Sequence, residues 1–504
     1  MVQSRVKSRK CNIAESAMFL QNSMRPVTVI SLTIYFLAGL LFFGSTGLAL
    51  GFFFAFRGET DHIAIRLPAE VVVVYVPHVP VEGRLTVGTG VPSQIAVNWS
   101  QFRGENHDAI SPETIPLRRD WSDADPPPTL WGMPLGEGFA GFAVRNGRVY
   151  IKDYDMENER DVLRALSLDD GEEIWRFCYP IRIRRNHGIS RTIPAVTDRF
   201  AVSFGPMCHV LCVDAVTGEL KWLIDLRHVY GSVVPDWYAG QCPLIVVIPG
   251  TDRQAAIIAP SGPEVLMVAL DCETGEEIWR TPNPYGWIMT HASIMPMTLD
   301  GQLTFVYLGE FGLVGVRASD GEILWSWTEA WPNAPATCSS PLILPDNRIF
   351  FSGGYRRGSV MIQIVPNLQE DRYEAITLFR LEHMVFDTEQ QTPIFYNGYI
   401  YGLRQNDQQF VCLDLNGQVV WASGRQEQFG SGAFIIADGM ILIADDEGRL
   451  HGIEATPTGF NKLFDVQIME DFACWAPMAI VNGRLLIRDQ IAMKCVDLRE
   501  FCRE

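Results

Sequence analysis

The chain has 504 residues and a formal net charge of −18, from 41 basic and 59 acidic side chains. That excess of acid excludes nucleic-acid binding, which needs a basic face, and favours a soluble, self-repelling particle. Its 11 cysteines are scattered and odd in number. They are expected to act as small buried hydrophobes rather than as a disulfide framework or zinc site, although pairs such as Cys208 with Cys212 stay open to oxidation outside the cytoplasm.

In chain order, residues 1–26 form a basic tail, with Arg5, Lys7, Arg9, Lys10 and Arg25 against Glu15. Residues 27–56 carry no charged side chain, and about 20 apolar residues span a bilayer. The positive-inside rule then places the tail in the cytoplasm and everything beyond residue 56 across the membrane. The competing reading is a cleaved signal peptide, whose apolar core is only about 7–15 residues long and ends on a small-residue cleavage site. No clean site of that kind comes after residue 56, so an uncleaved single-pass anchor is expected. Residues 57–98, with the apolar run Val71–Val76 and then Pro77, Pro80 and Pro92, read as a linker with one or two strands packed on the domain beyond residue 98.

Beyond residue 128 an eleven-residue phrase recurs. It runs A-L-S-L-D-D-G-E-E-I-W from Ala165 to Trp175 and C-V-D-A-V-T-G-E-L-K-W from Cys212 to Trp222. It returns as A-L-D-C-E-T-G-E-E-I-W from Ala269 to Trp279 and as G-V-R-A-S-D-G-E-I-L-W from Gly315 to Trp325. Each copy is a strand, a tight turn whose glycine supplies positive φ, and a second strand closing on tryptophan. Such a unit cannot bury both its faces alone, so neighbours must stack, and strand-only repeats of this length stack radially into a propeller.

Tryptophan spacing counts the blades. Trp131, Trp175, Trp222, Trp279 and Trp325 succeed one another at 44 to 57 residues, and Trp421 lies 96 residues further on. That double interval predicts a degenerate blade over 335–381, with Phe379 in place of tryptophan and the turn phrase lost in Asn367–Arg372. The last unit, Cys474–Phe501, lacks a closing tryptophan, which the isolated strand Thr129–Pro134 would supply. The expected fold is all-β: an eight-bladed propeller of four-stranded blades, closed by pairing of N- and C-terminal strands and preceded by one transmembrane helix. Seven blades are the alternative should 335–381 not form one. No helical period is visible over 128–501.

The phrase A-x-D-x-x-T-G-x-x-x-W resembles the tryptophan-docking motif of pyrroloquinoline-quinone (PQQ) repeat propellers, the BamB-like family. Trp175, Trp222, Trp279 and Trp325 match it, and the Trp421 unit is one residue short with Asp414 displaced. The segment Trp99-Ser-Gln-Phe102-Arg-Gly104-Glu-Asn106 resembles the W-x-Q-F-R-G-x-N lead-in of membrane-anchored or secreted bacterial members. The resemblance covers residues 99–501. It implies a propeller domain over 99–504, on the periplasmic side of the inner membrane, in which each docking indole lies flat on the next blade's turn.

The family includes enzymes that hold PQQ through calcium. The resemblance implies that these carry an adjacent Cys-Cys pair, and some a C-x-x-C-H haem site; this sequence has neither. Nor does it contain a G-x-S-x-G elbow, a P-loop or an H-E-x-x-H pattern. No catalytic residue, metal ligand or cofactor is therefore expected. A binding surface is expected at the approaches to the inner strands, where Arg and aromatics dominate contact energies. The candidates are His187 and Arg191, Trp237 and Tyr238, His291, Gln390 and Gln391, and Trp475. The bland readings are a satisfied turn histidine for His187 and a brace between blades for Arg191. The expected function is a membrane-tethered scaffold for a protein or peptide partner, and the alternative is a PQQ- or other small-molecule-binding enzyme or sensor. BamB-type assembly propellers carry a lipid on an N-terminal cysteine, whereas Cys11 here precedes the apolar span.

Overall fold

The computed structural model describes residues 81–331, 334–367, 372–471 and 473–500. The basic tail, the uncharged stretch 27–56 and the run Val71–Val76 lie outside the described residues. Among the described residues no helix is long and apolar enough to cross a membrane.

Eight antiparallel sheets succeed one another in the order the tryptophan spacing predicts. Blade 1 spans 142–180, blade 2 195–225, blade 3 244–282, blade 4 295–327, blade 5 342–381, blade 6 394–422 and blade 7 434–467. Blade 8 takes three strands from 479–497 and its outer strand from Thr129–Pro134, which pairs antiparallel with Ala492–Asp497 and sets Trp131 opposite Cys495. The ring is thus closed by the two ends of the domain, and the innermost strands of blades 8 and 1 are neighbours. Each sheet is sandwiched between two others, so its middle strands bury both faces: Val265–Asp271 and Gln409–Leu413 are buried at every position. Blade 1 has a fifth, outer strand, Arg84–Val87, drawn from the segment read as linker.

The turn phrase is the joint between blades. Trp131, Trp175, Trp222 and Trp279 donate their indole N–H to the carbonyls of Leu168, Ala215, Cys272 and Ala318 in the next blade, at 3.0–3.3 Å. Each acceptor lies three residues before the turn glycine. A Cβ on Gly171, Gly218, Gly275 or Gly321 would fall 2.5–2.7 Å from the docked ring, and each has φ between +73° and +77°. Glycine therefore meets two demands at once, positive φ and close approach of an aromatic face. The aspartate of the phrase braces the same turn: Asp214 Oδ1 accepts from the amides of Val216 and Thr217, and Asp271 Oδ1 from those of Glu273 and Thr274.

Where the phrase degenerates, the joint changes. Trp421 keeps the hydrogen bond, to Thr456 O at 2.9 Å, and Phe379 packs on Gly417 without one. Trp325 instead lies across Gly315 of its own sheet, and its indole nitrogen is buried without an acceptor. Blade 5, the next in the ring, has no turn phrase to offer one. That joint is carried by Trp327, whose N–H reaches Thr377 Oγ1 at 2.9 Å and whose ring meets Trp331 and Phe351 edge-on.

Two features fall outside the sequence expectations. Leu226–Tyr230 form a short helix, α1, capped by Asp225, which accepts from the Arg227 amide, and by Gly231 at φ 71°; five residues are too few to show a period. The lead-in also crosses the ring. Ser100 accepts from Val196 N–H of blade 2, while Arg103 reaches the carbonyls of Thr392 and Pro393, where the chain enters blade 6, both at 2.8 Å. Blades 2 and 6 lie four apart in a ring of eight, on opposite sides. The segment then pairs with blade 7 at Ile436 and accepts, through Glu113, the Asn482 N–H of blade 8. Residues 99–113 thus form a plug across the axis.

Inside blade 1, Lys152 Nζ lies 2.6 Å from Asp161 Oδ2 with both side chains wholly buried, and Tyr179 donates to the same oxygen. Asp161→Asn leaves a buried ammonium without its counter-charge and is expected to cost about 3–5 kcal/mol, with much of the loss recovered in a Lys152→Met/Asp161→Asn double variant; thermal denaturation measures both. Trp279→Phe strands the Ala318 carbonyl, whereas Trp325→Phe removes no hydrogen bond. The first is expected to be the more destabilising, by about 1–3 kcal/mol, and equal losses would show that stacking alone makes the joint.

Candidate functional site

Above the plug, the approaches to the inner strands enclose a cavity of about 310 Å³. Trp99, Phe102 and Arg103 of the lead-in form its floor, and every blade contributes to its wall. Of the residues expected from sequence, His187, Arg191, Trp237, His291, Gln390, Gln391 and Trp475 all line it. Tyr238 does not; its hydroxyl donates outward to the Arg184 carbonyl.

The wall is held by a belt of hydrogen bonds from blade to blade. Ile193 N–H donates to Cys242 Sγ, Cys242 N–H to Ser293 Oγ, Ser293 N–H to Ser340 Oγ and Ser340 N–H to Thr392 Oγ1, at 2.8–3.2 Å. Each of these residues opens an inner strand, and a small side chain with one polar atom is what fits between neighbouring backbones there. The pairs Cys242-Pro243, Ser340-Pro341 and Thr392-Pro393 are the sequence signal of this belt, unread until the blades are aligned. Phe139, Cys338 and Tyr355 also line the cavity and carry no such signal.

Backbone strain gathers at the rim. His187 (φ 45°), Trp237 (61°), Tyr238 (72°), Tyr355 (51°) and Arg356 (70°) are non-glycine residues in the left-handed region, where bulky side chains are rare. Each is over-determined by its surroundings. Arg191 donates to the carbonyls of His187 and Trp237, so it does brace blade 2's approach against blade 3's. Buried Asp387 organises the loop carrying Tyr355, accepting from Ser352 Oγ and from the amides of Gly354 and Arg356. Arg191 lies 5.3 Å over the Phe139 ring, and Phe139 is stacked on Trp475 at 5.0 Å and 23°. Gln391 Nε2 donates to the carbonyls of Ser431 and Trp475, tying blades 6, 7 and 8 together.

Two of the cavity's titratable groups, His291 and Cys338, are held neutral. Burial and the nearby Arg191 push His291 down to about 4, and burial pushes the Cys338 thiol up to about 12. A calcium-bound quinone would need several oxygen donors, carboxylates foremost. Among the described residues lining the cavity there is no Asp or Glu, and its permanent charges are the cations Arg103 and Arg191. Nor do the described residues contain a group of three His, Cys, Asp or Glu able to hold a metal ion. This donor set does not fit a calcium ion.

The folded-state value of His291 lies below that of an unfolded chain, about 6.5. The unfolded state therefore takes up the proton first, and stability falls as pH drops from about 6.5 towards 4. A His291→Gln variant is expected to show a shallower decline over that window in thermal denaturation against pH; an unchanged slope would place the imidazole in solvent.

Comparison with known proteins agrees with the fold. A family model described as outer membrane protein assembly factor BamB matches residues 158–367. The outer membrane protein assembly factor BamB of Yersinia pestis is 22% identical over 283 residues, covering 56% of this chain and 67% of that protein. The crystal structure of BamB from Moraxella catarrhalis superposes with a TM-score of 0.50 at 12% identity, covering 73% of this chain and 99% of the other. A europium-containing methanol dehydrogenase gives the same score and identity over 77% and 89% of the two chains, which at that identity reports the fold alone. With the docking joint repeated round an eight-bladed ring, the chain is a β-propeller that is similar to the BamB repeat proteins over residues 158–367.

Proposed function

We propose that this protein is a membrane-tethered, extracytoplasmic propeller that works as a non-catalytic scaffold, receiving part of a protein or peptide partner in the cavity at the ring's open face. The observation that carries this reading is the cavity itself: every blade contributes to its wall, Phe139, Arg191, Trp237, Tyr355 and Trp475 among the lining groups, over a floor that closes the channel. Aromatic and arginine side chains are the groups that anchor protein contacts. The neutral His291 and Cys338 supply neither an acid-base pair nor an activated nucleophile. The tether reading is supported by the thirty uncharged residues of 27–56 and the basic flank before them. It would fix the propeller to the periplasmic side of the inner membrane, and the BamB match is to proteins described as outer membrane assembly factors.

The second reading, a quinoprotein-like or other small-molecule enzyme or sensor, draws on the cavity's volume, which is within the range of small-ligand sites. Two measurements on the purified full chain in mild detergent separate the readings. A pool of short synthetic peptides passed over the immobilised protein is expected to yield retained members, and a Trp237→Ala/Trp475→Ala variant is expected to retain none of them. PQQ with calcium is expected to leave the melting temperature unchanged. Stabilisation by about 2.7 kcal/mol, the linkage value at 100 times a dissociation constant, would replace the scaffold with a cofactor protein.

A further inference from the structure

We infer that the cavity is a receptor for a carboxyl terminus: a chain-end carboxylate docks on Arg191, and the apolar side chain beside it lies against Phe139, Trp475 and Trp237. The inference rests on the reading of this cavity as a partner site and names the part of the partner that enters it.

Arg191 is the origin of the argument. Its Nε donates to Trp237 O, and its Nη2 to His187 O and, at 3.3 Å, to Gly188 O. Among the described residues Nη1 has no hydrogen-bond partner and the guanidinium no ion pair; the ionisable groups facing it are Cys338, Tyr355, Tyr238 and His291. All four are neutral near pH 7. Withdrawn charges are ordinarily paired; buried Arg357 also has unpartnered donors, but of the two Arg191 is the one that lines the cavity. By contrast, Arg103 on the floor gives four of its five N–H groups to main-chain carbonyls, those of Thr392, Pro393, His107 and Asp108. Arg191 keeps a whole amino group, Nη1, open towards the cavity, in the planar geometry that suits a carboxylate.

The walls specify what the carboxylate is attached to. Arg191, Phe139 and Trp475 form a ladder of cation over ring over ring, and Trp237, held at positive φ, faces the cavity from the next loop. An apolar or aromatic stem next to a carboxylate satisfies both. The plug decides that the guest is an end. With Trp99, Phe102 and Arg103 across the axis, an extended chain cannot thread the ring, so a blind cavity admits a terminus, and a cation at its wall selects the carboxyl end over the amino end.

The same chemistry belongs to a free aryl carboxylate, so the test has three arms. The full chain in detergent is titrated by calorimetry with a short peptide ending in phenylalanine, with the same peptide amidated at its C-terminus, and with 3-phenylpropionate. The free-acid peptide is expected to bind at least tenfold more tightly than the amide, with the difference shrinking as salt is raised, and 3-phenylpropionate is expected to compete with it. Arg191→Met is expected to bring the acid down to the amide's affinity. Because Arg191 also braces two loops, the acid-against-amide comparison on the unaltered protein is the deciding one. Equal affinity for acid and amide would overturn the inference and leave the scaffold standing. Binding of 3-phenylpropionate with neither peptide bound would keep the carboxylate chemistry and remove the scaffold. No binding in any arm would overturn the inference, and the peptide pool would then judge the scaffold separately.

Discussion

Everything in this molecule depends on one contact, an indole laid on the turn glycine of the next blade with its N–H on the carbonyl three residues earlier. A four-stranded blade exposes two apolar faces, and only another blade can cover them. The indole fixes the angle and height at which that cover arrives: the glycine lets it close to contact, and the carbonyl locks its rotation. Repeated from Trp131 to Gly171, Trp175 to Gly218, Trp222 to Gly275 and Trp279 to Gly321, the joint sets the radius of the ring. The radius in turn sets the width of the axial opening that the lead-in must plug and over which the cavity forms.

The joint is also why so much of the fold could be read from sequence. Its glycine, aspartate and tryptophan are each fixed by a separate physical demand, so the phrase survives at a constant spacing and counts the blades. Phe379 was recoverable because an aromatic is still needed on Gly417 where the hydrogen bond is not. The strand Thr129–Pro134 was recoverable because a blade missing its tryptophan and a tryptophan missing its blade imply each other. Trp327 and Trp331 were not legible, for they replace the joint at the blade whose turn phrase is lost and so share no frame with the rest. The plug was invisible for a different reason. Arg103 binds main-chain carbonyls, and a carbonyl leaves no mark on the sequence of its partner. The candidate site lay between these cases: the position of an approach loop within the repeat places a residue near the axis, but not the direction it faces, and Tyr238 turns away where Trp237 turns in.

Buried charge is met in more than one way across the ring. Lys152 and Asp161 neutralise each other inside blade 1. Arg103 is held by four carbonyls, whose combined partial charges substitute for a counter-ion, and burial still pulls its value down to about 10. Asp387, above its usual range because of burial, is held by a hydroxyl and main-chain amides. In each case the protein supplies the main partners from within the ring. Arg191 is supplied with an incomplete complement, and it lies in the cavity.

The rim combines that incomplete complement with stored backbone strain. Left-handed residues at Asn146, Asn397 and Asn482 precede hairpin glycines, where asparagine tolerates the conformation and the turn requires it. Trp237, Tyr238, Tyr355 and Arg356 have no such excuse; bulky residues in this region cost of order 1–3 kcal/mol each and persist only where surrounding structure imposes them. Here the imposing structure is the ring: Arg191 and Asp387 brace the strained loops, and the belt from Ile193 to Thr392 fixes the strands from which those loops rise. A site whose side chains are already held in position has little ordering entropy left to lose when a partner arrives. Rigid blades thus account for both the strain and its use, because only a scaffold that cannot relax keeps aromatic faces and an open guanidinium aimed at an empty space.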